Sequence, residues 1–155
     1  MSTVKQAPSK EAPAERRGRS RELVTKLVTE RTQVLVLFCR LAGIESYTPE
    51  NKPVRDLLED FCQILVDYIA AGHFALYERI VERTERRRDI VQLAEDLYPR
   101  IALTTDAALD FNDKYDSENE RQALEDLPSE LSKLGEQIAT RIELEDKLLA
   151  AMTRG

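Results

Sequence analysis

The sequence predicts an all-α protein, an antiparallel four-helix bundle behind a disordered N-terminal tail. Three observations lead there. Apolar residues recur at three- and four-residue steps through four long segments, the spacing of one helix face. Leu, Ala, Glu and Arg are abundant, whereas six prolines and five glycines are few for a β-sandwich or barrel. The connections are short, and long amphipathic helices joined by short loops pack as antiparallel neighbours. A chain of 155 residues, 42% of them hydrophobic, suits one domain, expected over 20–155.

The opening stretch "MSTVKQAPSKEAPAERRGRS" holds almost no large apolar residue, so ordering it would gain too little buried surface. Residues 1–19 are therefore expected to be a tail. Ser20 is a plausible N-cap for a first helix running to Ala42, with Leu23, Leu27, Val28, Val34, Leu35, Phe38 and Leu41 as its apolar stripe. Gly43 stops it, and "GIESYTPENKP" is a loop. The second helix is expected from about Pro53 to Arg86, with Leu57, Leu58, Phe61, Leu65, Tyr68, Ile69, Gly72, Leu76 and Ile80 facing the core. "ERTERRRDI" reads as a charged break. Asp89 caps a third helical stretch that Pro99 is expected to kink or restart before it continues through Ile101, Ala108, Leu109 and Phe111 to about Asp116, with further breaks expected around Asp116–Asn119 and at Pro128. A fourth helix is expected from Ser129 or Glu130, carrying Leu131, Leu134, Ile138, Ile142, Leu149 and Met152.

Charge narrows the function classes. The net charge is −6, unevenly placed: Met1–Arg31 has eight basic residues against four acidic, and Asp89–Gly155 has seven against sixteen. Such a chain would meet nucleic-acid phosphates with like charge, and its acidic half suits a basic protein partner. No apolar run reaches the length that spans a bilayer, and no secretion signal opens the chain. Cys39 and Cys62 stand apart on helices, without a CxxC pair, and read as reduced core thiols of a cytoplasmic protein. The only histidine, His73, cannot make a diiron or zinc site alone, so no metal and no cofactor is expected. Nucleophile elbow and phosphate loop are both missing, so no enzyme is expected either.

The informative residues are polar ones on apolar faces. Arg31 falls in the stripe of the first helix and Glu145 in that of the fourth. Arg141 precedes Glu145 by one helical turn, a spacing that lets them pair. Asp67 borders the stripe of the second helix. Burying any of these alone would cost several kcal/mol, so a cross-helix polar network is expected. It either sets helix register or shapes a groove that a partner reads. Gly72, following two alanines, marks a close approach to that helix. With Gly72 inward, Phe74 points at least partly outward, as an interface anchor would.

The stretch "DFCQILVDYIAAGHFALYERI", Asp60 to Ile80, resembles the central helix of the Rsd/AlgQ family, the bacterial regulators of sigma D. It matches that helix at Asp60, Phe61, Cys62, Gln63, Leu65, Val66, Asp67, Tyr68, Ala71, Gly72, His73, Phe74, Tyr77 and Glu78. "RIELEDKLL", Arg141 to Leu149, is similar to a second motif of the family, and "ELVTKLVTER" fits its first helix more loosely. The resemblance spans about residues 20–150. It departs from the family where a tryptophan usually follows the basic residue of the first helix; here Leu27 follows Lys26, and the chain has no tryptophan.

The resemblance implies an all-helical cytoplasmic protein that binds the housekeeping sigma factor of RNA polymerase. The contact would be with the sigma C-terminal region, which reads the −35 promoter element, and would favour alternative sigma factors. On this reading Asp67, Tyr68, Phe74, Tyr77 and Glu78 contact the partner. Arg31, His73, Arg141, Glu145 and Asp146 form the polar network that holds the groove. Two alternatives stay open at this point: an adaptor for another regulatory protein, such as a signalling enzyme or a phosphocarrier, and a small-molecule or metal-binding bundle.

Overall fold

The computed structural model describes residues 13–44, 52–77, 87–115 and 124–153. Helix α1 is Pro13–Ala42 and α2 is Lys52–Gly72, continued by a five-residue π-helical turn, His73–Tyr77. Helix α3 is Arg88–Tyr115, and α4 is Leu127–Thr153, entered through a single 3-10 turn at Leu124–Asp126. No strand occurs among the described residues. Among the same residues, no helix is long and apolar enough to cross a membrane.

Contacts between side chains of neighbouring helices fix the directions. Rings of Phe38 and Phe61 lie 6.3 Å apart, while Leu27, earlier in α1, lies near Gly72, later in α2. Phe61 meets Phe111 at 5.7 Å, and Tyr98, earlier in α3, reaches Leu76 beyond the end of α2. Lys114 at the end of α3 pairs with Asp126 and Glu130 at the start of α4, while Thr104 meets Arg141. Arg31 pairs with Asp146, while Phe38, later in α1, packs on Gly135, earlier in α4. Each adjacent pair therefore runs antiparallel, and α4 closes the ring against α1. A Cβ on Gly135 would lie 2.7 Å from the Phe38 ring, so the missing side chain sets the close approach of these two helices.

The core is continuous through all four helices. Leu27, Val34 and Leu41 enter it from α1; Leu58, Phe61, Leu65 and Tyr68 from α2; Ile90, Leu97 and Phe111 from α3; Leu131, Leu134, Ile138 and Leu148 from α4. Each large side chain taken wholly from water contributes about 1.5–3 kcal/mol.

Several boundaries differ from the sequence expectation, for identifiable reasons. Helix α1 begins at Pro13, so the tail expected over 1–19 is helical from 13 on, and residues 1–12 lie outside the described residues. Proline suits a first helical turn, and "AERR" consists of good helix formers. Pro99 neither ends nor restarts α3. It is exposed, as is Glu95 one turn earlier, so the carbonyl that loses its N–H partner faces water and not the core. Pro128 likewise falls in the first turn of α4, where its missing donor is harmless. Val28 and Leu35 do not join the inward stripe of α1: they are 42% and 40% exposed, about 100° around the helix from Leu27 and Val34. Leu109 is also exposed, and so is Cys39, which is therefore not the core thiol expected, whereas Cys62 is buried. Of the break expected at 82–90, residues 88–90 already belong to α3 and 82–86 lie outside the described residues, as do 78–86 of the expected second helix and the break expected at 116–119.

Candidate functional site

The polar residues singled out in α1 and α4 do meet, and they meet around Glu145, which is fully buried. Its two oxygens are used separately. Oε1 accepts from Arg31 Nη2 at 3.0 Å and from the Tyr68 hydroxyl at 2.5 Å. Oε2 accepts from Arg141 Nε at 2.9 Å, the pairing that the one-turn spacing predicts. Arg31 also donates through Nη1 to Asp146 Oδ1 at 3.0 Å. Two guanidinium groups therefore face two carboxylates, and the cluster carries no net charge.

Arg141 is held on three sides. Its Nη1 donates to Thr105 Oγ1 at 2.7 Å and to Thr104 Oγ1 at 3.2 Å. The Thr104 hydroxyl donates in turn to the Ile101 carbonyl at 2.6 Å, which turns its oxygen toward Arg141 as an acceptor. The guanidinium carbon sits 5.4 Å from the Tyr68 ring centre, within cation–π range. Gly72 closes the site from α2. A Cβ there would lie 3.0 Å from Arg141 Nη2 and 3.3 Å from Glu145 Oε2. The mid-helix glycine is thus explained by the ion pair that passes over it.

Electrostatics follow from burial and pairing. Burial works against the Arg31 guanidinium, but Glu145 and Asp146 outweigh it and raise its pKa. Burial, reinforced by the charge of Glu145, pushes the Tyr68 phenol well above its usual range. The hydroxyl stays protonated and serves as a donor. Among the described residues there is no group of three or more His, Cys, Asp or Glu that could hold a metal ion.

The outer face of α2 is a different environment. Asp56, Glu59, Asp60, Gln63 and Asp67 are all exposed, and Phe74 extends the same column at 47% exposure. Gln63 Nε2 donates to Asp67 Oδ1 at 3.4 Å, a weak contact that leaves the carboxylate open to a stronger donor. Directly behind this face lies the charge cluster.

Two of the expected assignments change. Tyr68, assigned to partner contact, has no accessible surface, and its hydroxyl binds Glu145; it belongs to the network. His73, assigned to the network, is exposed and sits edge-on to Phe74 at 5.3 Å between ring centres; it belongs to the surface. Within the π turn, 73 and 74 face outward and Ala75 and Leu76 inward. Of Tyr77 only the backbone is described, and Glu78 lies outside the described residues. Sequence reasoning missed Thr104 and Thr105. A threonine between Ile101 and Ala108, on the inward stripe of α3, was the available signal.

The chain is 32% identical to the "Regulator of sigma D" of Yersinia enterocolitica over 142 residues, covering 90% of this chain and 85% of the relative. It is 38% identical to the protein of the same description from Enterobacter sp. strain 638 over 148 residues, covering 90% and 86%. The corresponding Salmonella arizonae protein is 37% identical over 143 residues, covering 87% and 84%. No solved structure matches the chain. Residues 7–153 match the profile of the regulators of the RNA polymerase sigma(70) subunit, and the chain belongs to that family, Rsd/AlgQ.

Proposed function

We propose that this protein is an anti-sigma factor that acts in the cytoplasm. It binds the C-terminal, −35-reading region of the housekeeping sigma factor and so limits use of that sigma by RNA polymerase. The mechanism is occlusion. A surface of sigma needed for promoter or polymerase contact is covered, and no bond is made or broken.

The outer face of α2 carries this reading. A region that reads DNA presents cations, and α2 offers four exposed carboxylates, Asp56, Glu59, Asp60 and Asp67, along its length. Complementary charge speeds encounter and fixes register, while an aromatic anchor supplies apolar contact once water is excluded. Phe74, half exposed at the end of the same face, is placed for that role. Asp67 receives a basic sigma side chain. His73, edge-on to Phe74, shares the contact, and Tyr77 and Glu78, next in the sequence, are assigned to it as well. The buried cluster of Arg31, Tyr68, Arg141, Glu145 and Asp146 holds α1, α2 and α4 in register behind the face.

Titration of the purified protein against the isolated C-terminal region of the host's housekeeping sigma tests this at two salt concentrations. Binding should be tight and should weaken with salt. Asp67→Ala should lose on the order of tenfold in affinity and flatten the salt dependence. Absence of binding at tens of micromolar would reject the sigma partner. Wild-type affinity in Asp67→Ala would reject the contact assigned to Asp67.

A further inference from the structure

We propose that Tyr98 and Gly72 are positioning residues for the Phe74 anchor: they clamp the π-helical turn His73–Tyr77 at its two ends and so fix how Phe74 is presented. The inference rests on the sigma-binding reading for the role of Phe74, but the clamp itself can be tested without sigma.

A π turn is wider than an α turn, and such turns survive as single insertions where something outside the helix supports them. Here the support comes from two other helices. At the entry, the buried Gly72 backbone lies under Arg141 and Glu145 of α4. Those groups are themselves pinned by Thr104, Thr105 and Arg31, so they form a fixed wall. At the exit, the Leu76 carbonyl accepts from the Tyr98 hydroxyl of α3 at 2.9 Å. That bond matters because i→i+5 geometry disturbs the usual carbonyl partners within the turn. Between the two ends, Ala75 and Leu76 are buried while His73 and Phe74 are exposed with their rings edge-on. The orientation of Phe74 is thus tied to α3 and α4, which carry none of the proposed contact face.

Tyr98→Phe removes one hydroxyl and leaves the ring, so the fold should be retained, as circular dichroism would verify. The chain has a single histidine, which gives isolated imidazole resonances 5.3 Å from the Phe74 ring. Phe74→Ala should shift those resonances by removing the ring current. Tyr98→Phe should shift them in the same direction by a smaller amount. Gly72→Ala, acting at the other end of the turn, should shift them too. In titrations with the isolated sigma C-terminal region, Tyr98→Phe should weaken binding about three- to tenfold, the range of one hydrogen bond. That loss should vanish in a Phe74→Ala background and add to the loss from Asp67→Asn. Unchanged His73 resonances in both Tyr98→Phe and Gly72→Ala would overturn the clamp. An undiminished Tyr98→Phe effect on affinity in the Phe74→Ala background would overturn positioning through Phe74. Shifted resonances with wild-type affinity in Phe74→Ala would support the clamp and reject Phe74 as a sigma contact.

Discussion

Gly72→Ala separates intrinsic helix preference from tertiary packing, because the two predict opposite signs. In an open helix, replacing glycine by alanine stabilises by about 1 kcal/mol. At this position the new methyl would lie 3.0 Å from Arg141 Nη2, 3.3 Å from Glu145 Oε2 and 3.7 Å from Leu27 Cδ1. The first two distances require atoms to move. Arg141 is held by Thr104, Thr105 and Glu145, and Glu145 by Arg31 and Tyr68, so a shift of a few tenths of an ångström strains several bonds together. A hydrogen bond to a charged group contributes about 1.5–3 kcal/mol, and weakening two of them outweighs the propensity gain. We expect a net loss of about 1–2 kcal/mol, seen as a melting temperature lower by about 2–8 °C for a chain of this size. Urea unfolding of both proteins, with equal m-values, measures the difference directly. A variant as stable as the wild type, or more so, would refute the argument that the charge cluster dictates the glycine.

Three further outcomes are expected. Glu145→Gln should destabilise by about 3–5 kcal/mol in denaturant titration, since it leaves the buried Arg141 guanidinium facing a neutral amide and takes from Arg31 one of its two carboxylates. Stability should fall as pH rises above about 10: the unfolded chain then loses the Tyr68 proton while the folded chain keeps it, a slope of about 1.4 kcal/mol per pH unit. Tyr115, whose phenol is also raised by burial and by Glu130 and Asp126, adds to the loss, and absorbance titration at alkaline pH should find both phenols ionising only on unfolding. Pro99→Ala should raise the melting temperature, by about 1–3 kcal/mol in stability, because the site is exposed and already helical.

Most of the architecture was legible because helix periodicity is a local signal. The stripes of Leu27, Val34 and Leu41, or of Leu131, Leu134 and Ile138, need no tertiary knowledge to be read. The Arg141–Glu145 pair was legible for the same reason, being one turn apart on a single helix. What lay beyond reach depended on partners far along the chain. Tyr68 is an aromatic on a core stripe, and nothing local separates a surface contact from a buried donor; the separation comes from Glu145, 77 residues away. His73 was given to the network on the family reading alone, since no step of the apolar stripe places it inward, and the structure leaves it exposed. The Tyr98 bond to Leu76 was invisible because its acceptor is a carbonyl, which every residue has. Val28 and Leu35 were drawn into one stripe with Leu27 and Val34 because α1 is apolar on two sides, and a count of apolar steps cannot tell which side a neighbour covers.

Why a binding protein should bury an ion pair, Arg141 with Glu145, at the centre of a charged cluster follows from what an apolar core cannot do. Leucines can interdigitate in more than one register at similar free energy, so burial alone leaves a bundle free to slide by a turn. The Glu145 cluster lacks that freedom. Arg31 reaches Glu145 and Asp146 together in one alignment of α1 with α4, Tyr68 admits one alignment of α2, and Thr104 and Thr105 do the same for α3. Any slip would strand a buried charge at a cost of several kcal/mol, which is the circumstance in which buried ion pairs specify structure better than they stabilise it. Asp67 projects from the helix that carries Tyr68, one residue earlier, and Phe74 follows two residues after Gly72. A register error at the cluster would therefore displace both proposed contacts. Charge in the core and recognition at the surface are, in this fold, two ends of one constraint.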